Sequence, residues 1–209
     1  DETIAIIKKY QEQGIHKVIA TPHVMQGVWE NSSKTILNKL NEVRENIEKC
    51  QISDFVIDAG AEYMLDENFN NLLEKKDILT IKSNKVLVEL SYFSYPSSFL
   101  DTIFSIQLAG YSPILAHPER YSFYHSNFSS FEKLKTIGVG FQLNLLSITP
   151  YYGKSVQKIA FKLLDNNMYD CLGTDIHRLE HFEKMYFKLS NKHFRLIKDL
   201  LNKNCENFS

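Results

Sequence analysis

Cysteine, glycine, proline and excess charge are all scarce in this chain, and each scarcity excludes something. The three cysteines, Cys50, Cys171 and Cys205, are too few and too scattered for a disulfide framework or a thiolate zinc site. That usage fits a reducing compartment and makes the cytoplasm the expected location. None of the three has an arginine six residues on, so the thiolate-plus-phosphate-loop arrangement of a cysteine phosphatase is missing. Eight glycines and five prolines form no linker-like run, and residues 1–209 are expected to make a single domain. Lys plus Arg (24) nearly balance Asp plus Glu (25), and a net charge of −1 gives no electrostatic footprint for a nucleic-acid backbone. No run approaches the ~20 apolar residues that a membrane-crossing helix requires, so direct insertion is not expected. The opening Asp1-Glu2-Thr3-Ile4 lacks the basic-then-apolar grammar of a signal peptide. There is no Walker phosphate loop and no Gly-x-Ser-x-Gly elbow.

What is present is a regular alternation. Periodicity predicts a helix over 2–13, stopped by Gly14, and then a β-branched strand over 16–20. Residues 32–50 put Ile36, Leu40, Val43 and Ile47 at helical spacing behind an N-cap at Ser32 or Ser33. A strand at 54–60, a short helix near 67–75, a strand at 85–90, a helix at 99–109 and a strand at 112–116 continue the pattern. A helix at 129–136, a strand at 139–145, a helix at 155–167, a strand at 169–173 and helical segments across 179–204 complete it. Connections this short imply an α/β protein with a parallel sheet, open or closed into a barrel.

Polar residues with metal-binding chemistry recur at the C-terminal ends of these strands. Thr21-Pro22-His23 follows the first strand, Gly60-Ala61-Glu62 follows the second, and Glu89 sits late in the third. His117-Pro118-Glu119-Arg120 follows the fourth, and Gly173-Thr174-Asp175-Ile176-His177 closes the last. In barrels of parallel strands that rim gathers the loops and the chemistry, so residues distant in sequence can meet there. If the last strand runs on through Asp175 and His177, both side chains project to one side. Any one such residue is more often a cap or a surface group, but six on one rim read as a site.

Imidazole and carboxylate donors without thiolate suit Mn²⁺, Zn²⁺ or Fe, with Mg²⁺ where carboxylates dominate. Several such donors suggest more than one ion, a centre that acidifies water and neutralises phosphoryl charge. Arg120 is then placed to clamp a phosphate.

The remaining candidates fit blander roles. His16 falls at the opposite rim and His193 on a basic C-terminal helix, and both are expected to be solvated. His125 and His181 lie near motif residues and suit supporting or surface positions. Cys171 shares the strand parity of Asp175 and is expected in the core. Tyr92-Phe93-Ser94-Tyr95-Pro96, with Tyr121, Phe123 and Tyr124, would flank the mouth, as loop packing or as an aromatic lip for a substrate ring.

The ordered set Thr21-Pro22-His23, Glu62, Val88-Glu89-Leu90, Ala116-His117-Pro118-Glu119-Arg120 and Thr174-Asp175-Ile176-His177 resembles the polymerase-and-histidinol-phosphatase (PHP) superfamily. Within it the sequence is similar to bacterial capsule and exopolysaccharide tyrosine-protein phosphatases. The likeness spans nearly the whole chain and includes Ile106 to Tyr111, Gln142-Leu143-Asn144 and Tyr152-Gly153-Lys154. It implies a distorted (β/α)7 barrel with up to three metal ions, often manganese. The substrate it implies is the phosphotyrosine tail of a membrane-linked tyrosine autokinase, which would recruit the enzyme to the membrane. By position, His23, Glu62, Glu89, His117, Asp175 and His177 are implied ligands, with Asp175 and His177 also in the catalytic set. Arg120 is implied as a phosphate contact, and Arg178 is a candidate second one.

The family opens with a strand carrying a His-x-His pair and an Asp-rich loop, and this chain starts after that point. The expectation is therefore a piece of a longer product, lacking one strand and two ligands. A small-molecule phosphatase of the histidinol-phosphate type and a non-catalytic scaffold that binds a kinase tail are the alternatives. Self-association stays open.

Overall fold

In the computed structural model, which describes residues 2–185 and 188–208, the chain alternates helix and strand throughout. Helix α1 (Glu2–Glu12) buries Ile4, Ile7 and Tyr10, three residues apart on one face, and Gly14 follows at φ 75°. The first predicted strand is β1 (Lys17–Ala20), and a further short strand, β2 (His23–Val24), forms after Thr21-Pro22, beyond the predicted strand's end. Helix α2 (Ser33–Lys49) begins at Ser32, whose Oγ accepts from Thr35 N–H (3.2 Å) while Thr35 Oγ1 accepts from Ser32 N–H (2.9 Å). This reciprocal capping box settles the choice between the two serines.

The second predicted strand is β3 (Val56–Ala59), and it too is followed by an unforeseen short strand, β4 (Glu62–Met64). A side chain at Gly60 would meet the Ile81 backbone at 2.9 Å, so the junction needs glycine to let that segment pass. Then come α3 (Glu67–Glu74), β5 (Lys85–Glu89), α4 (Phe99–Leu108) and β6 (Ser112–Ala116). They are followed by α5 (Ser129–Thr136), β7 (Gly140–Asn144), α6 (Lys154–Asp165), β8 (Cys171–Gly173), α7 (His181–Lys184) and α8 (Asn191–Phe208). The expected strand at 169–173 begins only at Cys171, because Asp170 and buried Tyr169 are turned to other partners. The helical stretch expected across 179–204 is two helices, and Tyr186 and Phe187 between them lie outside the described residues.

All pairings between these strands are parallel: β1 with β3, and separately β2-β4-β5-β6-β7-β8. The sheet curls. Ile19 of β1, Leu87 of β5, Ile114 and Ala116 of β6 and Cys171 of β8 join one apolar cluster, which a flat sheet with β1 and β8 far apart would forbid. Residues of opposite parity, among them Val86, Val88, Leu115, Phe141 and Leu143, face the helices in the largest core. The expected (β/α)7 barrel is thus present as a curled parallel half-barrel.

The last strand in the order is finished by a side chain. Asn204 of α8 accepts from Leu172 N–H through Oδ1 (3.0 Å) and donates to Leu172 O through Nδ2 (2.6 Å), as a neighbouring strand would.

Candidate metal and phosphate site

Register builds the site. His23 pairs with Glu62 across β2 and β4, and Met64 pairs with Glu89 across β4 and β5. Alternation points His23, Glu62 and Glu89 to the concave side, and the three donors lie within 4.8 Å of one another. His23 Nδ1 is 2.8 Å from Glu89 Oε1 and 3.9 Å from Glu62 Oε2. Buried His117 reaches the other Glu62 oxygen through Nε2 at 3.0 Å. From the last loop, His177 Nε2 comes within 3.2 Å of His23 Nε2.

The final pair does not sit on a strand as the spacing predicted. Strand β8 ends at Gly173, and Asp175 adopts a left-handed φ of 51°. His177 still returns to Asp175, with Nδ1 3.0 Å from its carbonyl and 3.3 Å from its carboxylate, because a turn rather than an extended backbone joins them. His117 is left-handed as well, at φ 36°. Of the seven non-glycine residues with positive φ among the described residues, His117 and Asp175 are the two at the rim, where positioning is required.

Arg120 completes the floor. Its Nη1 donates to Asp175 Oδ2 at 2.9 Å, and Asn144 Nδ2 donates to the same oxygen at 2.7 Å. The guanidinium lies between two rings, 4.7 Å from the Tyr92 centroid and 4.1 Å from that of Tyr152. Arg120, Asp175, Tyr92 and Tyr152 border a cavity of about 520 Å³ that also takes in Met25, Trp29 and Phe93. Seven of the eight expected site residues therefore converge; Arg178 is exposed and does not line the cavity.

The titration of the floor fits a cation. Glu62 and Glu89 are only 5% and 3% exposed, yet the two carboxylates face one space. The hydrogen bond to Glu89 lifts His23 to about 9, so in the ion-free chain a proton supplies the positive charge between them. Burial raises the Glu62 carboxyl and lowers His117 to about 4, keeping that imidazole neutral with a lone pair free for coordination. Two buried carboxylates and converging imidazoles, with no thiolate, are the donor set that a divalent ion would occupy.

One neighbour has a place at the site that the sequence did not assign to it. Asn144 ends β7 at the same rim and could have been found by applying the strand-end rule to that strand too. His181, buried, accepts from His177 N–H through Nδ1 (3.3 Å) and faces Tyr151 OH, a supporting place as expected. His125 faces the Glu119 carbonyl at 2.7 Å, and His16 is exposed beside the Asp54 carbonyl. His193 departs from expectation: it is half-buried, stacked 4.3 Å from Phe161 and 3.1 Å from Asp165, because its helix packs against α6. Cys171 is core. The aromatic run divides: Tyr121 and Tyr124 are buried packing, while Tyr92 and Phe93 line the cavity.

A curled parallel sheet carrying a carboxylate–imidazole centre on its C-terminal rim defines an α/β half-barrel protein with a candidate metal site. Residues 1–193 match the family described as capsular polysaccharide synthesis, CpsB/CapC, and the chain belongs to that family. It is 27% identical over 186 residues to tyrosine-protein phosphatase CpsB of Streptococcus pneumoniae, covering 86% of this chain and 76% of that one. It is 24% identical over 210 residues to tyrosine-protein phosphatase YwqE of Bacillus subtilis, covering 98% and 82%. The fold matches a chain from crystal structures of YwqE and CpsB, which are described as metal-dependent tyrosine phosphatases. That match has a TM-score of 0.80 and 23% identity, over 100% of this chain and 80% of the other.

Proposed function

We propose that this chain is a metal-dependent protein-tyrosine phosphatase of capsule or exopolysaccharide synthesis. The observation that carries the reading is the shared floor: His23, Glu89 and the Arg120–Asp175 pair border one cavity, and the Glu62 donor lies within 4.8 Å of those of His23 and Glu89. His23, Glu62, Glu89, His117, Asp175 and His177 would hold divalent ions; the mixed nitrogen and oxygen donors suit Mn²⁺, Zn²⁺ or Fe, and the family resemblance points to Mn²⁺ among them. Ions bound there supply Lewis-acid charge to a phosphoryl group and acidify water.

The chain's own residues do the rest. Arg120, fixed between Tyr92 and Tyr152, presents its guanidinium to phosphate oxygens without a search through rotamers. Asn144 and Arg120 both hold Asp175 Oδ2, which orients that carboxylate. Tyr92 walls the floor and is backed by the buried ring of Tyr121, stacked 5.6 Å behind it.

The partner we assign is the phosphotyrosine tail of a bacterial tyrosine kinase, met on the cytoplasmic side and bringing the enzyme to the membrane. No helix among the described residues is long and apolar enough to cross a bilayer by itself. The test is hydrolysis of a phosphotyrosyl peptide with Mn²⁺. Turnover should vanish in excess chelator and in Arg120→Ala, with the circular dichroism of the variant unchanged. Full activity in chelator would sink the proposal, and faster hydrolysis of histidinol phosphate would move it to a small-molecule substrate.

A further inference from the structure

Two large aromatic side chains at the mouth of the cavity are left unused by the floor. Trp29 is 54% exposed and Phe93 98% exposed, yet both line the same cavity as His23, Glu89, His117 and Arg120. Exposed aromatic surface collected at a concave polar site marks ligand contact rather than core.

Trp29 is rigidly placed. Met25 N–H donates to Trp29 O and Trp29 N–H donates to Met25 O, both at 2.9 Å, around Gly27 at φ 75°. Its ring lies 6.3 Å from that of His23, inclined by 29°. The other rings of the cavity are already engaged: Tyr92 stacks on His117 and Tyr121, and both Tyr92 and Tyr152 cover the Arg120 guanidinium. Trp29 and Phe93 are the most exposed of the cavity's rings, and neither covers the Arg120 guanidinium, as Tyr92, itself 37% exposed, does.

We infer that Trp29 and Phe93 form an aryl-binding lip that selects phosphate monoesters of an aromatic alcohol over those of an aliphatic one. The inference rests on the phosphatase reading above. With phosphate held on the floor at Arg120, the ester oxygen of an aryl phosphate joins directly to a flat ring, which can meet the open aromatic faces at the mouth. An aliphatic ester offers a narrower, flexible chain and less surface to cover. Ring contacts of this kind favour the aryl ligand by about tenfold.

Trp29 is the single tryptophan, so its emission reads the lip directly. The experiment titrates the Mn²⁺-loaded protein with phenylphosphonate, methylphosphonate and inorganic phosphate, using fluorescence and calorimetry. Phenylphosphonate should bind about tenfold more tightly than methylphosphonate and should alone change the Trp29 emission. In Trp29→Ala combined with Phe93→Ala the preference should largely disappear, while inorganic phosphate and Mn²⁺ bind as before. Trp29→Phe with Phe93 kept should restore most of it.

Equal binding of the two phosphonates, or an aryl preference that survives the double substitution, overturns the lip and leaves the phosphatase reading standing. Mn²⁺ affinity falling in step with phosphonate affinity would make Trp29 a support for His23 and likewise overturn the lip. Failure of all three ligands to bind would overturn the phosphatase reading and the lip together.

Discussion

The concave face of the sheet holds two unlike interiors within a few residues of each other. Towards the N-terminal ends of the strands, Ile19, Leu87, Ile114 and Cys171 close an apolar plug with Ile81 and Phe208. Towards the C-terminal ends, the same face carries His23, Glu62, Glu89 and Asn144. On β5 the change from plug to site takes one side-chain repeat, from Leu87 to Glu89, roughly 7 Å along the strand. The plug obeys every rule of packing. The rim breaks several at once, with buried carboxylates side by side and an imidazole lifted to about 9. A fold can carry such a cost locally when the rest of the sheet is consistent, and the place where consistency fails is the place to look for chemistry.

The contrast can be broken at either end. The largest effect is expected at the rim. Glu62→Gln keeps the shape and the acceptor for His117 but removes a buried charge, so hydrolysis with Mn²⁺ should fall roughly a thousandfold. The ion-free protein should melt no lower than the parent. Loss of the fold in this variant would mean that the carboxylate is structural and the contrast false.

At the plug the pattern reverses. Leu87→Ala should cost about 2–5 kcal/mol in urea unfolding, while the folded protein keeps its Mn²⁺ affinity within about threefold. A selective loss of Mn²⁺ affinity would show that the two interiors are coupled.

The smallest effect sharpens the boundary between them. Glu119 is buried beneath the rim and accepts from Asn144 N–H and Tyr169 OH, and burial raises its carboxyl to about 7. The folded chain then keeps a proton that the unfolded chain, with its carboxyl near 4.5, has released. Stability of the ion-free protein should therefore fall as pH rises from about 4.5 to about 7, by on the order of 3 kcal/mol. Glu119→Gln should flatten that slope, and an unchanged slope would place the titration elsewhere.

Much of this was legible in the sequence, and the limits are physical. Helix–strand alternation and the strand-end rule brought His23, Glu62, Glu89, His117, Asp175, His177 and Arg120 to one rim because apolar periodicity survives any tertiary detail. The short strands β2 and β4 beyond Thr21-Pro22 and Gly60-Ala61 were not legible, because two and three residues are too few to show a period. They let the ladder resume, so that His23 and Glu62 lie on strands rather than in loops. The left-handed turn at Asp175 was hidden because aspartate adopts that conformation without glycine's signature. Arg178 looked equivalent to Arg120 by charge, but only the second is gripped by rings, a contact set by residues 28 and 32 positions away. Trp29 had no partner motif at all. Its meaning comes from exposure beside a cavity, which sequence alone does not carry.

Asn204 ties solubility to the end of the chain. Its carboxamide keeps the N–H and C=O of Leu172 from offering themselves to a strand of another molecule. A protein shortened before this residue would uncover an adhesive margin on the sheet, and self-association in storage would be the first sign, ahead of any change at the polar rim.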